Sequence, residues 1–320
     1  MTTSGAAPFD HVVLGAGQRG LFAALAALRA QPEGSLLVVD AAPQPGGSLR
    51  TQRTNGYVCE LGAFSFTRSE LEPRLRLLTP APTPIAALPE GRYGYLHDGV
   101  ERHRIDCDEA TIPLAFRTGN EELTQACRRA LGNRLQLGRS VVALRHTGAH
   151  FTIELGGQVP ATLACRQVTV ALPAKATGQL LGDFDPALAA VAQRIELAPR
   201  AFVFLGGDAR DAAPLQGYGI APTAVDTAGV QEVIHCTNVF PARALPGRFL
   251  LRAEVAPATA EDSVAIDEAV ATLARWTGVT GPFALQKVHA FRTEVADGAL
   301  AECQARLRAL PARVAGLALP

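Results

Sequence analysis

Between residues 11 and 40 the sequence runs strand, glycine turn, helix, strand, the order and spacing of a βαβ unit. His11-Val12-Val13-Leu14 is a short β-type run. It stops at Gly15-Ala16-Gly17-Gln18-Arg19-Gly20. Leu21 to Leu28 then supplies Ala and Leu, the strongest helix formers. Pro32 and Gly34 break that helix. Leu36-Leu37-Val38-Val39 is a second apolar strand, ending at Asp40.

Each glycine of Gly15-x-Gly17-x-x-Gly20 has a physical task. Gly15 allows the tight turn out of the strand, Gly17 lets the backbone approach a pyrophosphate, and Gly20 lets helix and sheet pack closely. The helix start offers N–H groups and a positive dipole end to phosphates. Asp40 follows Gly20 at about the distance at which an acid accepts hydrogen bonds from an adenosine ribose. An NADP site prefers a cation there, so the acid selects FAD or NAD. Pro45-Gly46-Gly47-Ser48-Leu49-Arg50-Thr51 comes next. Its glycines let the chain run beside a cofactor, and Ser48 and Arg50 are candidate phosphate donors. The competing reading is a tight βα turn of some other α/β protein. The glycine motif by itself does not separate FAD from NAD.

The remaining bulk features mainly exclude. The chain has 320 residues, 48% hydrophobic and 19% charged, as an ordinary globular core requires. Its formal net charge of zero gives no reason to expect nucleic acid as a partner. No apolar run reaches the ~18 residues of a membrane span. Met1 to Asp10 lacks a charged stretch followed by an apolar one, so a cytoplasmic location is expected, with peripheral membrane contact left open. The six cysteines are scattered and read as reduced thiols. His146 and His150 flank a Thr147-Gly148 turn, and no metal site is expected.

Further along, a hairpin is expected around His97-Asp98-Gly99 and a helix over 121–131, with Thr118-Gly119-Asn120 as its cap. Strands are expected over 135–144, 151–155 and 167–172. A moderate helix signal covers 185–194. Strands over 200–205 and 249–255 read as a second sheet, followed by a helix over 262–276. A strand over 288–293, a helix over 299–310 and a strand over 314–319 close the chain.

GAGQRGLFAALAAL, LLVVDAAPQPGGSLRT and GYVCELGAFSF together resemble the FAD-containing amine oxidase superfamily, and within it the protoporphyrinogen oxidases. The resemblance implies that these segments hold the FAD pyrophosphate, the adenosine ribose and the flavin edge, the last bringing in Gly62 and Ala63. AFRTGNEELTQACRRALGNRLQLGRSVVAL looks like the family segment leading to the adenine, with Val141 where the family backbone meets that ring. VTVALPA resembles the strand and turn beneath the cofactor. LQGYGI, VFPARALPGRFLLRAEV and AVATLARWTGVTG resemble the substrate-domain sheet and its helix.

Three departures accompany the likeness. Only about a dozen residues, Asp106 to Phe116, stand where the family has a long helical insert. HAFRTEVADG has Phe291 where the family has a Trp, and lacks its turn prolines. The sequence ends at Pro320, where the family continues into a glycine-rich turn and helix against the flavin.

The implied architecture is α/β: a Rossmann-like FAD-binding domain over 1–75, 115–180 and 285–320, with a smaller α+β substrate domain over 76–114 and 181–284. The implied activity is an FAD-dependent oxidase or dehydrogenase of porphyrin biosynthesis type. It takes hydride from a small apolar substrate such as a tetrapyrrole, and no catalytic residue is identified. Arg53, Tyr218 and His235 are weak substrate-contact candidates. The alternatives are a non-catalytic nucleotide-binding relative, an NAD-linked dehydrogenase, and a flavin-dependent sugar mutase.

Overall fold

A computed structural model describes residues 7–157, 160–213, 215–223, 229–256 and 262–320. The reading of a signal-free N-terminus falls partly on residues 1–6, outside this set. In chain order the elements are β1 (Phe9–Leu14), α1 (Gln18–Ala30), β2 (Leu36–Asp40), β3 (Thr51–Thr54), β4 (Tyr57–Glu60), α2 (Arg68–Leu75), β5 (Pro84–Ala86), β6 (Tyr93–His97), β7 (Arg102–Asp106), β8 (Leu114–Phe116) and α3 (Glu121–Leu131). Then come β9 (Leu135–Leu137), β10 (Val141–His146), β11 (Phe151–Leu155), β12 (Ala161–Val170), α4 (Ala174–Leu180), α5 (Pro186–Arg194), β13 (Leu197–Asp208), β14 (Gly219–Pro222) and β15 (Gly229–Ile234). Last are α6 (Cys236–Val239), β16 (Arg248–Ala256), α7 (Asp262–Thr277), β17 (Leu285–Glu294), α8 (Gly298–Ala309) and β18 (Leu317–Ala318).

The first sheet has the parallel core β18-β12-β1-β2-β9. Successive residues of a strand point to opposite faces. Val12 and Leu14 accordingly enter one core with Leu37 and Val39, while Val13 enters another with Leu36 and Val38. Both faces are covered, as an all-parallel core demands. α1 and α3 cover the Val13 face, and α5 and α8 cover the other. In α1 the buried residues Gly20, Leu21, Ala24 and Leu25 recur at helical spacing, which aims one stripe at the sheet.

The stretch 135–144, expected as one strand, is two. Gly138, at φ +69°, turns the chain between β9 and β10, which lie at opposite ends of the pairing order. Three linking residues reach only ~11 Å, too little to cross the sheet. The antiparallel meander β10-β11-β12 therefore curls back over it, and Leu144, Phe151 and Ile153 pack on the Val12 face. The Arg139 N–H donates to the Asp40 carbonyl at 2.8 Å and fixes this return.

The second sheet runs β17-β13-β16-β15-β14-β6-β7. α7 packs Ala269, Leu273 and Trp276 on one face. The other face meets the first domain through Tyr57, Phe64, Phe202, Phe204 and Phe240. Sheet membership places two segments differently from the expected division. Residues 285–294 are β17, paired with β13 from Leu197↔Glu294 to Gly206↔Leu285, so they extend the second sheet. Helix α5 lies beyond residue 180, yet its Leu188 and Val191 pack on the first sheet.

Asn120 does not cap α3 as expected. Its side chain accepts the Phe116 N–H and donates to the Ala63 and Phe64 carbonyls. It ties the 62–66 loop to the helix start, and the Thr51 hydroxyl accepts the Glu121 N–H instead.

Candidate functional site

The cleft above the C-terminal ends of β1 and β2 is built by glycines. Gly15, at φ +102°, turns the chain so closely over Ala171 that a Cβ would lie 2.7 Å from the Ala171 carbonyl oxygen. A Cβ on Gly20 would lie 1.9 Å from the Gly15 carbonyl oxygen, so α1 seats against the turn only without a side chain there. Gly17 differs: a Cβ there would meet no atom within 4 Å, because that side opens onto the cleft. Gly47 completes the wall, close enough that its Cβ would sit 3.2 Å from the Gly17 Cα. The Gly46 N–H bonds the Ala16 carbonyl at 2.7 Å and locks the two glycine loops together.

This cleft measures about 390 Å³. It is lined by Gly15, Gly17, Gln18, Arg19, Asp40, Gly46, Gly47 and Ser48, together with Arg74 and the 171–173 turn. No side chain caps the start of α1, and its first turn carries no acid. The dipole end and its N–H groups therefore face the cleft without a carboxylate of the protein's own. Asp40 holds the far end. Its Oδ2 accepts the Ala16 N–H at 2.5 Å and its Oδ1 the Ala42 N–H at 2.7 Å. An ionised carboxylate has about four acceptor positions. Two remain for hydroxyl donors.

The other sequence-derived positions divide. Ala16 is buried beneath the cleft and Gly20 behind it. Val141 opens β10, two residues past the Arg139 bond to Asp40, so it lies at the carboxylate end but outside the cleft lining. Arg50 is exposed and points elsewhere: its charge reaches His289 on β17 and helps hold that imidazole below its ordinary pKa, after burial, the main cause. It thus stands at the join between the domains. Gly62 and Ala63 also lie at the join. Arg252 donates to the Gly62 carbonyl, and Asn120 to that of Ala63.

Arg74 escaped the sequence reading. It projects from α2 over the rings of Phe22 and Phe66, donates to Gln18 Oε1 at 3.1 Å, and brings a cation to the cleft. Pro73 obscured this helix, but Thr67-Arg68-Ser69-Glu70 is a capping box, and both of its hydrogen bonds form. The second missed feature lies beneath the 62–66 loop. Glu60 and Arg243, both essentially inaccessible, pair at 3.0 Å. Glu60 also accepts from Thr51 and from the Asn120 N–H. Burial pushes its carboxyl upward against these partners.

Of the weaker candidates, Arg53 is spent on Glu121 and the Thr118 carbonyl. Tyr218 places its hydroxyl 3.4 Å from that of Ser65, in a cavity of the second domain. His235 is buried, with Nδ1 2.9 Å from the Gln216 carbonyl oxygen. Among the described residues there is no cluster of three or more metal-ligating side chains.

Residues 13–79 match the family of NAD(P)-binding Rossmann-like domains. Among solved structures, the chain is similar to the "Putative protoporphyrinogen oxidase from Exiguobacterium sp. 255-15" at 15% identity and TM-score 0.79, over 98% of this chain and 94% of that one. It is also similar to wild-type putrescine oxidase bound to putrescine (14%, TM-score 0.69, 100% and 93%) and to reduced UDP-galactopyranose mutase (11%, TM-score 0.74, 97% and 89%). The chain has the fold of these structures, and it opens with the segment that matches an NAD(P)-binding Rossmann-like domain.

Proposed function

We propose that the chain is a flavoprotein oxidoreductase that holds FAD across the first-domain cleft and takes hydride from an apolar substrate, a tetrapyrrole among the candidates. One observation carries this reading: the open side of Gly17, the uncapped start of α1 and the Asp40 carboxylate line a single cleft. The N–H groups of residues 17–20 would receive a diphosphate, with Arg74 and Ser48 beside it. Asp40 would hold the ribose hydroxyls, and the Arg139–Val141 backbone would border the adenine. The flavin end would lie at the domain join, past Gly62 and Ala63. FAD supplies the hydride-accepting chemistry when bound, and the protein orients the substrate and excludes water. No helix of the described residues is long and apolar enough to cross a membrane. A cytoplasmic site of action belongs to the same proposal.

The test is anaerobic. The FAD-loaded protein is mixed with protoporphyrinogen and, separately, with a primary amine. Bleaching of the visible flavin bands by either supports an oxidoreductase. Flavin that stays oxidised with both, while remaining bound, favours the non-catalytic alternative.

A further inference from the structure

The second sheet carries a cavity of about 610 Å³ on its α7 side, away from the face that meets the first domain. The cavity is bounded by α7, the turn after β6, the end of β14 and the start of β15. Its size suits a small ligand. Pro222, Val230 and Trp276 supply apolar wall.

The polar lining is arranged along one helix face. Glu268, Thr272 and Arg275 of α7 follow one another at spacings of four and three, which align side chains. Seven residues at a rise of 1.5 Å put about 10 Å of helix between the carboxylate and the guanidinium. No ion pair joins them, and neither they nor the Thr272 hydroxyl bond any described residue. Glu268 is half-buried, with Oε1 so close to the start of β15 that a Cβ on Gly229 would lie 3.2 Å from it. Burial holds its carboxyl above the ordinary range. The cavity's other acid, Asp98, is committed: Oδ1 accepts the Val100 and Glu101 N–H groups, and Oδ2 lies 2.7 Å from His103 Nε2.

His97 adds a fixed donor. It is 9% exposed, and its ring stacks on Trp276 at 5.5 Å between centroids. Nδ1 accepts the Gly99 N–H at 3.0 Å, so the neutral ring carries its proton on Nε2. That N–H has no partner among the described residues, in a side chain that lines the cavity. A buried donor without an acceptor is costly unless a ligand or water supplies one.

We infer that this cavity is a second ligand site and that it binds a free tripeptide with small side chains: Arg275 takes the terminal carboxylate, Glu268 the terminal ammonium, and His97 and Thr272 the peptide groups between. Three residues of extended chain span about 10 Å, the separation of the two charges along α7. A simple amine or a simple acid leaves one of those charges unmet. The site lies across the sheet from the domain join, and the inference stands apart from the flavoprotein reading.

The test is titration calorimetry of the full chain at neutral pH with trialanine, N-acetyl-trialanine, trialanine amide and dialanine. Trialanine should bind at least about tenfold more tightly than each of the other three. Glu268→Gln should abolish the discrimination against the acetylated peptide and keep that against the amide. Arg275→Gln should do the reverse, with circular dichroism confirming the fold of both variants. The wild-type series is decisive without them: no binding of trialanine, or equal binding of the blocked peptides, would overturn the inference. So would a Glu268→Gln protein that still rejects the acetylated peptide.

Discussion

Asp40 Oδ2 accepts the Ala16 N–H at 2.5 Å, so the acid that ends the second strand also braces the glycine turn that ends the first. One side chain thereby sets the distance between the two halves of the cleft. Asp40→Asn keeps the shape but weakens this charge-assisted bond and the acceptors offered to a ribose. Nucleotide affinity should fall by about tenfold, or about 1.4 kcal/mol, in titration calorimetry.

Gly17 and Gly20 separate binding from folding. Gly17→Ala adds a methyl to open space at a residue with φ −67°, which any residue adopts. Its melting temperature should stay close to wild type, a cost below about 1 kcal/mol, while flavin retention on desalting drops. Gly20→Ala drives a methyl into the Gly15 carbonyl. It should cost about 3 kcal/mol in denaturant unfolding whether or not nucleotide is present.

The Glu60–Arg243 pair should reveal itself through pH. In Arg243→Met the Glu60 carboxylate loses its main neutralising partner, and breaking such a buried pair costs about 3–5 kcal/mol. An acid whose folded pKa lies above its unfolded one binds more protons when folded. Stability therefore falls as pH rises from the unfolded value through the folded one. The variant should lie closer to wild type at acid pH than at neutral pH, and Glu60→Gln/Arg243→Met should lose that pH dependence.

His235 works in the opposite direction. Burial depresses its pKa to about 4, and Nε2 has no partner, so protonation would bury an unsatisfied N–H. The unfolded chain binds this proton more readily between the ordinary histidine value and about 4. The stability tied to neutral His235 is thus complete above the ordinary value and is lost as pH falls through that window, on the order of 3 kcal/mol at most. Urea unfolding of His235→Gln across that range should show a shallower acid slope than wild type.

The sequence made the opening βαβ unit legible because its signals are local. The strand run 11–14, the glycine spacing and the Asp40 strand end each act within a few residues of one another, and β1, α1 and β2 formed as read. The helices at 121–131, 186–194 and 262–277 were legible for the same reason. What failed was long-range. Gly138 offered a break inside an otherwise continuous apolar stretch, but only pairing with β2 on one side and β11 on the other decided it. Nothing local in 285–294 says that it joins β13 and not the first sheet. Asn120 has the chemistry of a cap, and three loop groups compete for it successfully.

The flavoprotein reading turns on the proposed grip of the cleft at Gly17 and Asp40 on the adenosine diphosphate of FAD. Its most direct test is calorimetric titration of the purified chain with FAD and with NAD, with the visible spectrum recorded after desalting. The expected result is a yellow protein that binds FAD near one per chain and far more tightly than NAD. A colourless protein that takes up no FAD, or one that prefers NAD, would contradict it.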